Sequence, residues 1–100
     1  MKAWLAKQQG AKVAVLSGIR TPFAKAGMKL KDCSAVHLGV TAAREVLARA
    51  EMRREELDEV VFGNAGTPAD AANISRVIAL RTGVPDSTEA YTVHRNCASA

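Results

Sequence analysis

The chain has 100 residues, 48% of them apolar and only four aromatic, so it can form one small domain whose core rests on Ala, Val, Leu and Ile. No apolar run approaches the ~20 residues that span a bilayer, and lysines at positions 2 and 7 interrupt the start too early for a secretory signal. The net charge of +4 suits an anionic partner such as a phosphate group, or else reflects solvated helix faces. It comes without the aromatic-interleaved basic patch or motif of a nucleic-acid binder.

In chain order, residues 1–11 read as a leader that ends in the polar break Lys7-Gln8-Gln9-Gly10. Residues 12–17 (K-V-A-V-L-S) are short and almost continuously apolar, as expected of a first strand covered on both faces. Gly18-Ile19-Arg20-Thr21-Pro22-Phe23 closes that strand, because Pro22 cannot continue it. Phe23 is expected to anchor this turn in the core. A basic loop over residues 24–31 leads to Asp32 and Ser34, either of which can cap a helix over residues 35–50. Leu38, Ala42, Val46 and Ala50 recur every four residues, with Gly39, Ala43 and Leu47 widening the stripe, so this helix should pack on a sheet. Gly39 would let it come close. Cys33 and His37 at its start read as packing or surface residues, not as chemistry.

Residues 52–57 (M-R-R-E-E-L) form a short charged helix or turn, and residues 58–64 (D-E-V-V-F-G-N) a second strand with its exit. A loop of small residues with Pro68 follows. Residues 73–82 make a second amphipathic helix with Ile74, Val77, Ile78 and Leu80 as its apolar residues. Gly83 is a natural stop, and Pro85 cannot extend the helix. Arg76 faces solvent or pairs across an interface. A third strand, Ala90-Tyr91-Thr92-Val93-His94, runs into Cys97. The order β-α-β-α-β, with each strand ending at glycine or small residues, argues an α/β fold with a mainly parallel sheet.

The stretch that the chain is organised around is its last, E-A-Y-T-V-H-R-N-C-A-S-A. Cys97, Ala98, Ser99 and Ala100 suit the tight first turn of a helix. A cysteine held there would have its thiolate stabilised by the helix N-terminus and would be open to an acyl group. The alternative is a buried, inert cysteine. Cys33 and Cys97 lack metal-ligand spacing, and the two histidines do not complete one, so no metal site is expected. Two cysteines without an export signal also point to a reducing, cytoplasmic setting.

V-H-R-N-C-A-S-A resembles the nucleophile signature of the thiolases, commonly N-x-x-C-x-S-G, with Cys97 and Ser99 matching. His94 stands where Asn is common and Ala100 where Gly is common, which blurs the subfamily. Three further segments resemble the same family in the same order: S-G-I-R-T-P-F, D-E-V-V-F-G-N, and N-I-S-R with T-G-V-P. The likeness covers residues 12–100.

This resemblance implies a partial N-terminal domain of the layered thiolase fold, incomplete and ending just after the nucleophile. It implies Cys97 as the residue that accepts an acyl group from, and returns it to, coenzyme A, with its own N–H in an oxyanion hole. The substrates would be acyl-CoA molecules, in 3-ketoacyl-CoA cleavage or acetyl-CoA condensation, with no bound cofactor. The intact enzyme would be a homo-oligomer, a dimer or tetramer. The residues that grip coenzyme A are not identified here. The family's G-H-P, C-x-G and N-E-A-F motifs do not occur in residues 1–100, so the chain alone is expected to be inactive. His94 and His37 are not substitutes for the missing base. Other classes that fit are a ketoacyl synthase or hydroxymethylglutaryl-CoA synthase, or a non-catalytic truncated module. The R-T-P-F and N-x-x-R segments favour thiolase among the enzymes.

Overall fold

The computed structural model describes Gly10 and residues 12–100; the expected leader therefore falls almost wholly outside the described residues. The described elements are α1 (Ala35–Arg49), a 3-10 turn (Arg54–Glu56), β1 (Glu59–Gly63), α2 (Ile74–Thr82) and β2 (Glu89–Val93). β1 and β2 pair in parallel, in the register Glu59 with Glu89 through Gly63 with Val93. This is the α/β arrangement expected, with a right number of helices and one strand fewer.

The missing strand is residues 12–17. They pair with no strand among the described residues, and Val13, Val15 and Leu16 are 87%, 91% and 70% exposed. A strand makes its hydrogen bonds only with another strand, and an apolar run gains only when something covers it. Nothing described here covers this one. Phe23 is likewise not an anchor. It is exposed, and the Arg20 guanidinium stacks over its ring at 4.7 Å.

α1 begins where the Ser34 hydroxyl accepts the His37 N–H at 3.0 Å, which settles the cap in favour of Ser34 over Asp32. Its inward line is Val36, Val40 and Ala43, which join Ala71, Ile74, Ile78, Phe62 and Val77 in the apolar cluster of the described residues. The helix packs mainly on α2, with Phe62 of β1 against the same cluster; the expected stripe is half-buried, and Val36 beside it is the buried residue. At Gly39 a Cβ would strike the Cδ1 of Ile78, so glycine is what permits this approach. Arg44 reinforces it by donating to the Arg81 carbonyl at the C-terminal end of α2.

α2 supplies most of the core. Ile74, Ser75, Ile78, Ala79 and Thr82 are buried, at the spacing of one helical face, whereas Leu80 points outward and is 44% exposed. The helix stops at Gly83, whose φ of 91° few other residues adopt. Its N-terminus is locked to both strands by polar side chains. Asn73 caps the helix by accepting the Arg76 N–H at 3.3 Å, accepts the Thr92 hydroxyl at 2.8 Å and donates to the Ala90 carbonyl at 3.2 Å. The Ser75 N–H donates to Thr92 Oγ1 at 3.1 Å, and the Ser75 hydroxyl donates to the Val60 carbonyl at 2.9 Å.

Arg76 has a role other than the two foreseen. Its guanidinium donates to the carbonyls of Thr88 and Asp86, at 3.1 Å each, and so pins the segment that enters β2. Val60, Phe62, Ala90 and Thr92 lie on the sheet face toward α2. Val61 and Tyr91, paired in register, lie on the other face and are 46% and 47% exposed.

Two predictions follow from this packing. Ser75 is fully buried, so Ser75→Ala strands the Val60 carbonyl and should lower unfolding free energy by ~1–3 kcal/mol. Arg49→Ala, which removes only the exposed pair with Glu45, should cost under about 1 kcal/mol. Urea melts of the three proteins check this, and equal losses for the two variants would contradict it. Tyr91 is the sole tyrosine, and Glu59 raises its pKa above the ordinary 10.0, through hydrogen bonding first and like charge second. The neutral phenol is therefore favoured on folding. Its contribution is present below pH 10.0 and disappears as pH rises through the folded midpoint. Phenolate absorbance should titrate above 10.0, and earlier in Glu59→Gln; an unchanged midpoint would refute the pairing.

Candidate active site

β2 ends at Val93, and the parallel ladder runs one bond further, with the Asn64 N–H donating to the Val93 carbonyl at 3.1 Å. Both chains then turn away from the sheet at the same edge. On the β1 side, the Asn64 side chain accepts the N–H groups of Gly66 and Thr67, at 2.7 and 3.3 Å, and curls the exit loop back. On the β2 side, residues 95–99 form a tight turn. Ala98 N–H donates to the Arg95 carbonyl at 3.0 Å and Ser99 N–H to the Asn96 carbonyl at 3.3 Å. Asn96 takes a φ of 50°, a conformation that asparagine tolerates better than most residues.

Cys97 sits at the top of this turn and is exposed. The turn is closed by one side chain. The Ser99 hydroxyl accepts the Arg95 N–H at 2.9 Å and donates to the Asn96 carbonyl at 2.7 Å. The expected helix N-terminus at Cys97 is not there. Residues 97–100 are not helical; the i→i+3 bonds from Ala98 and Ser99 hold a turn in its place.

His94 does not act on the thiol. Its Nδ1 accepts the Asn96 N–H at 3.3 Å, so that lone pair is occupied within the turn, and no hydrogen bond joins it to Cys97 among the described residues. His37 is exposed on the first turn of α1. Cys33, half-buried before α1, has no contact with the turn that the hydrogen bonding records.

Three concave surfaces, of about 290, 430 and 660 Å³, lie along α1 and residues 18–22. The smallest is lined by Arg44, Arg53 and Arg54 over Leu47, Ala48 and Met52. Not one of the three includes Cys97 or another residue of its turn. Sequence reading located the cysteine but missed Gly63, Asn73 and Thr92. The small residue inside D-E-V-V-F-G-N was the one signal available for Gly63.

An exposed thiol at the exit of a parallel strand, on an α/β unit, is the class of site this geometry defines. Residues 13–100 match the model of the thiolase N-terminal domain, and the chain belongs to the thiolase family. Over 96 residues it is 42% identical to 3-ketoacyl-CoA thiolase of Escherichia coli (strain 55989 / EAEC), covering 96% of this chain and 22% of that protein. It is 41% identical over 93 residues to 3-ketoacyl-CoA thiolase of Photorhabdus laumondii, with 93% and 21% covered. Among solved structures, it is similar to a thiolase of Ascaris suum in complex with coenzyme A, at TM-score 0.80 and 31% identity, over 84% of this chain and 22% of that one. It is equally similar to the acetyl-CoA acetyltransferase of Bacillus anthracis, at TM-score 0.80 and 34% identity over 85% and 22%. The chain thus spans about a fifth of the length of these relatives.

The site yields a direct check. Cys97 is exposed and Cys33 half-buried, so a bulky maleimide should modify Cys97 first in the folded chain, and both alike in urea. Peptide mapping of the products reads the order. Faster modification of Cys33 would contradict the described turn.

Proposed function

We propose that residues 12–100 are the N-terminal part of a thiolase domain, incomplete by itself, and that Cys97 is the residue that carries the acyl group. The observation that supports this best is the placement of an exposed cysteine immediately past β2, within a chain whose residues 13–100 match the thiolase N-terminal model. In the cleavage direction, the Cys97 sulfur adds to the 3-keto carbonyl of a 3-ketoacyl-CoA. The bond between the second and third carbons breaks, and the departing acetyl-CoA carbanion takes up a proton. The acyl thioester left on Cys97 then passes to the thiol of a second coenzyme A. Condensation of two acyl-CoA molecules is the reverse.

The substrate is an acyl-CoA, and identity of 41–42% with 3-ketoacyl-CoA thiolases, against 31–34% with the structural neighbours, favours the cleavage direction, as in β-oxidation of fatty acids. Coenzyme A enters as a substrate, not as a resident cofactor. The base, the second acid and the coenzyme-gripping loops belong to sequence outside residues 1–100. Residues 1–11 serve as a leader. The enzyme works in the cytoplasm; no helix among the described residues is long and apolar enough to cross a membrane. It is a homo-oligomer. The half-exposed Val61 and Tyr91, with Val13, Val15, Leu16 and Phe23, supply apolar surface for further protein to cover.

The test is a chimera in which this chain replaces the matching part of the Escherichia coli relative. The chimera should cleave acetoacetyl-CoA and trap an acetyl group on Cys97, whereas the chain by itself should show no turnover. In the chimera, Cys97→Ala should abolish acyl-enzyme and cut turnover by several orders of magnitude, and Cys33→Ala should leave both nearly intact. Retained activity in Cys97→Ala would overturn the proposal.

A further inference from the structure

Gly63, the last residue of β1, lies directly under the turn that carries Cys97. A Cβ built on it would land on the carbonyl carbon and oxygen of Ser99 and come within 3.0 Å of the Ala100 side chain. Most of the obstacle is backbone, which cannot swing aside as a side chain can. The requirement for glycine is purely one of space. Gly63 is not among the glycines with positive φ, so its backbone would accept any residue. The contact joins the end of one strand to the loop that leaves its neighbour, 36 positions further along the chain.

Ser99 meets this contact from the other side. Its carbonyl rests on Gly63 while its hydroxyl closes the turn, through Arg95 N–H and the Asn96 carbonyl. One residue therefore fixes the shape of the turn with its side chain and the position of the turn with its main chain. His94 adds a third tie through Asn96 N–H, and Asn64 N–H to Val93 holds the two exits side by side. Cys97 lies between the residues so held.

We propose that Gly63 and Ser99 form a seat that positions the Cys97 thiol, Gly63 by admitting the Ser99 carbonyl and Ser99 by closing the turn. They are positioning residues and touch no reacting atom. The catalytic consequence rests on Cys97 being the acyl acceptor; the structural one does not. Displacement of a reacting group by about 1 Å costs on the order of 10²-fold in rate. A methyl group at position 63 demands a shift of that size.

Amide hydrogen exchange on the full chain tests the seat. Gly63→Ala should bring the amides of Arg95, Ala98 and Ser99 to the exchange rates of an open peptide, while Ile78 and Ala79 in α2 stay protected. Gly66→Ala is the control, because its new methyl would meet nothing closer than Asn64 Oδ1 at 3.4 Å, and it should leave the turn protected. Should Gly63→Ala unfold α2 as well, Ser99→Ala decides, since it adds no bulk. It should free the same turn amides, and Ser99→Thr should restore them. Protection of the turn retained in Gly63→Ala, or in Ser99→Ala, overturns the proposal.

In the chimera described above, Gly63→Ala and Ser99→Ala should lower kcat on the order of 10²-fold with KM unmoved, and Ser99→Thr should recover most of it. A fall in KM-type binding with kcat unchanged would overturn the positioning role. Activity surviving in Cys97→Ala overturns instead the assignment of Cys97, and leaves the exchange result as the measure of the seat.

Discussion

The Ser75 hydroxyl, fully buried, donates to a strand carbonyl while its own N–H is accepted by a threonine on the neighbouring strand. Around it, Asn73 caps the helix, bonds Thr92 and reaches the Ala90 main chain. The first turn of a helix has N–H groups with no partner of their own, and a two-stranded sheet has little stability alone. Here each satisfies the other. Because Ser75 is shielded from water, loss of its hydroxyl leaves the Val60 carbonyl without that hydrogen bond. α2 is thereby set at one height along β1 and β2, and the apolar cluster of Ile74, Ile78, Phe62 and Val36 forms beneath it.

That docking carries through to the chemistry. Thr92 is the penultimate residue of β2, so the strand is held just before it leaves the sheet. The parallel register makes β1 end beside it, at Gly63. Parallel strands deliver their C-terminal ends to the same edge, which is where α/β folds collect functional groups. The turn that carries Cys97 and the bare Cα of Gly63 therefore meet, through the Ser99 carbonyl, because of register. Arg76 acts at the opposite end of β2, with bonds to the Asp86 and Thr88 carbonyls that hold the strand's entry.

The other sheet face and the segment over residues 12–23 show what a family match over about a fifth of its relatives' length means in physical terms. Val61 and Tyr91 stand half-exposed, and Val13, Val15, Leu16 and Phe23 almost fully so. In two relatives of solved structure, roughly four-fifths of the chain lies beyond the matched part. A layered α/β fold buries both faces of its sheet, and an apolar strand gains stability only inside such layers. The polar seam at α2 is complete by itself; the apolar surfaces are not.

Local chemistry is what the sequence determined unaided. A cap at Asp32 or Ser34, Gly83 as a stop, the two helices, the strands over residues 58–64 and 90–94, and the cysteine after the last strand all follow from neighbours within a few residues. The thiolase likeness was legible for the same reason, since its motifs are short and contiguous. Tertiary structure decided what depends on partners far along the chain. It turned Leu80 outward and Val36 inward, gave Arg76 to the entry of β2, and left residues 12–17 unpaired for want of cover. It also set Cys97 in a turn closed by Ser99, not at a helix N-terminus. Gly63 is marked in the sequence only as a small residue at a strand exit: the carbonyl that excludes a side chain there belongs to Ser99, and only the folded register brings the two together.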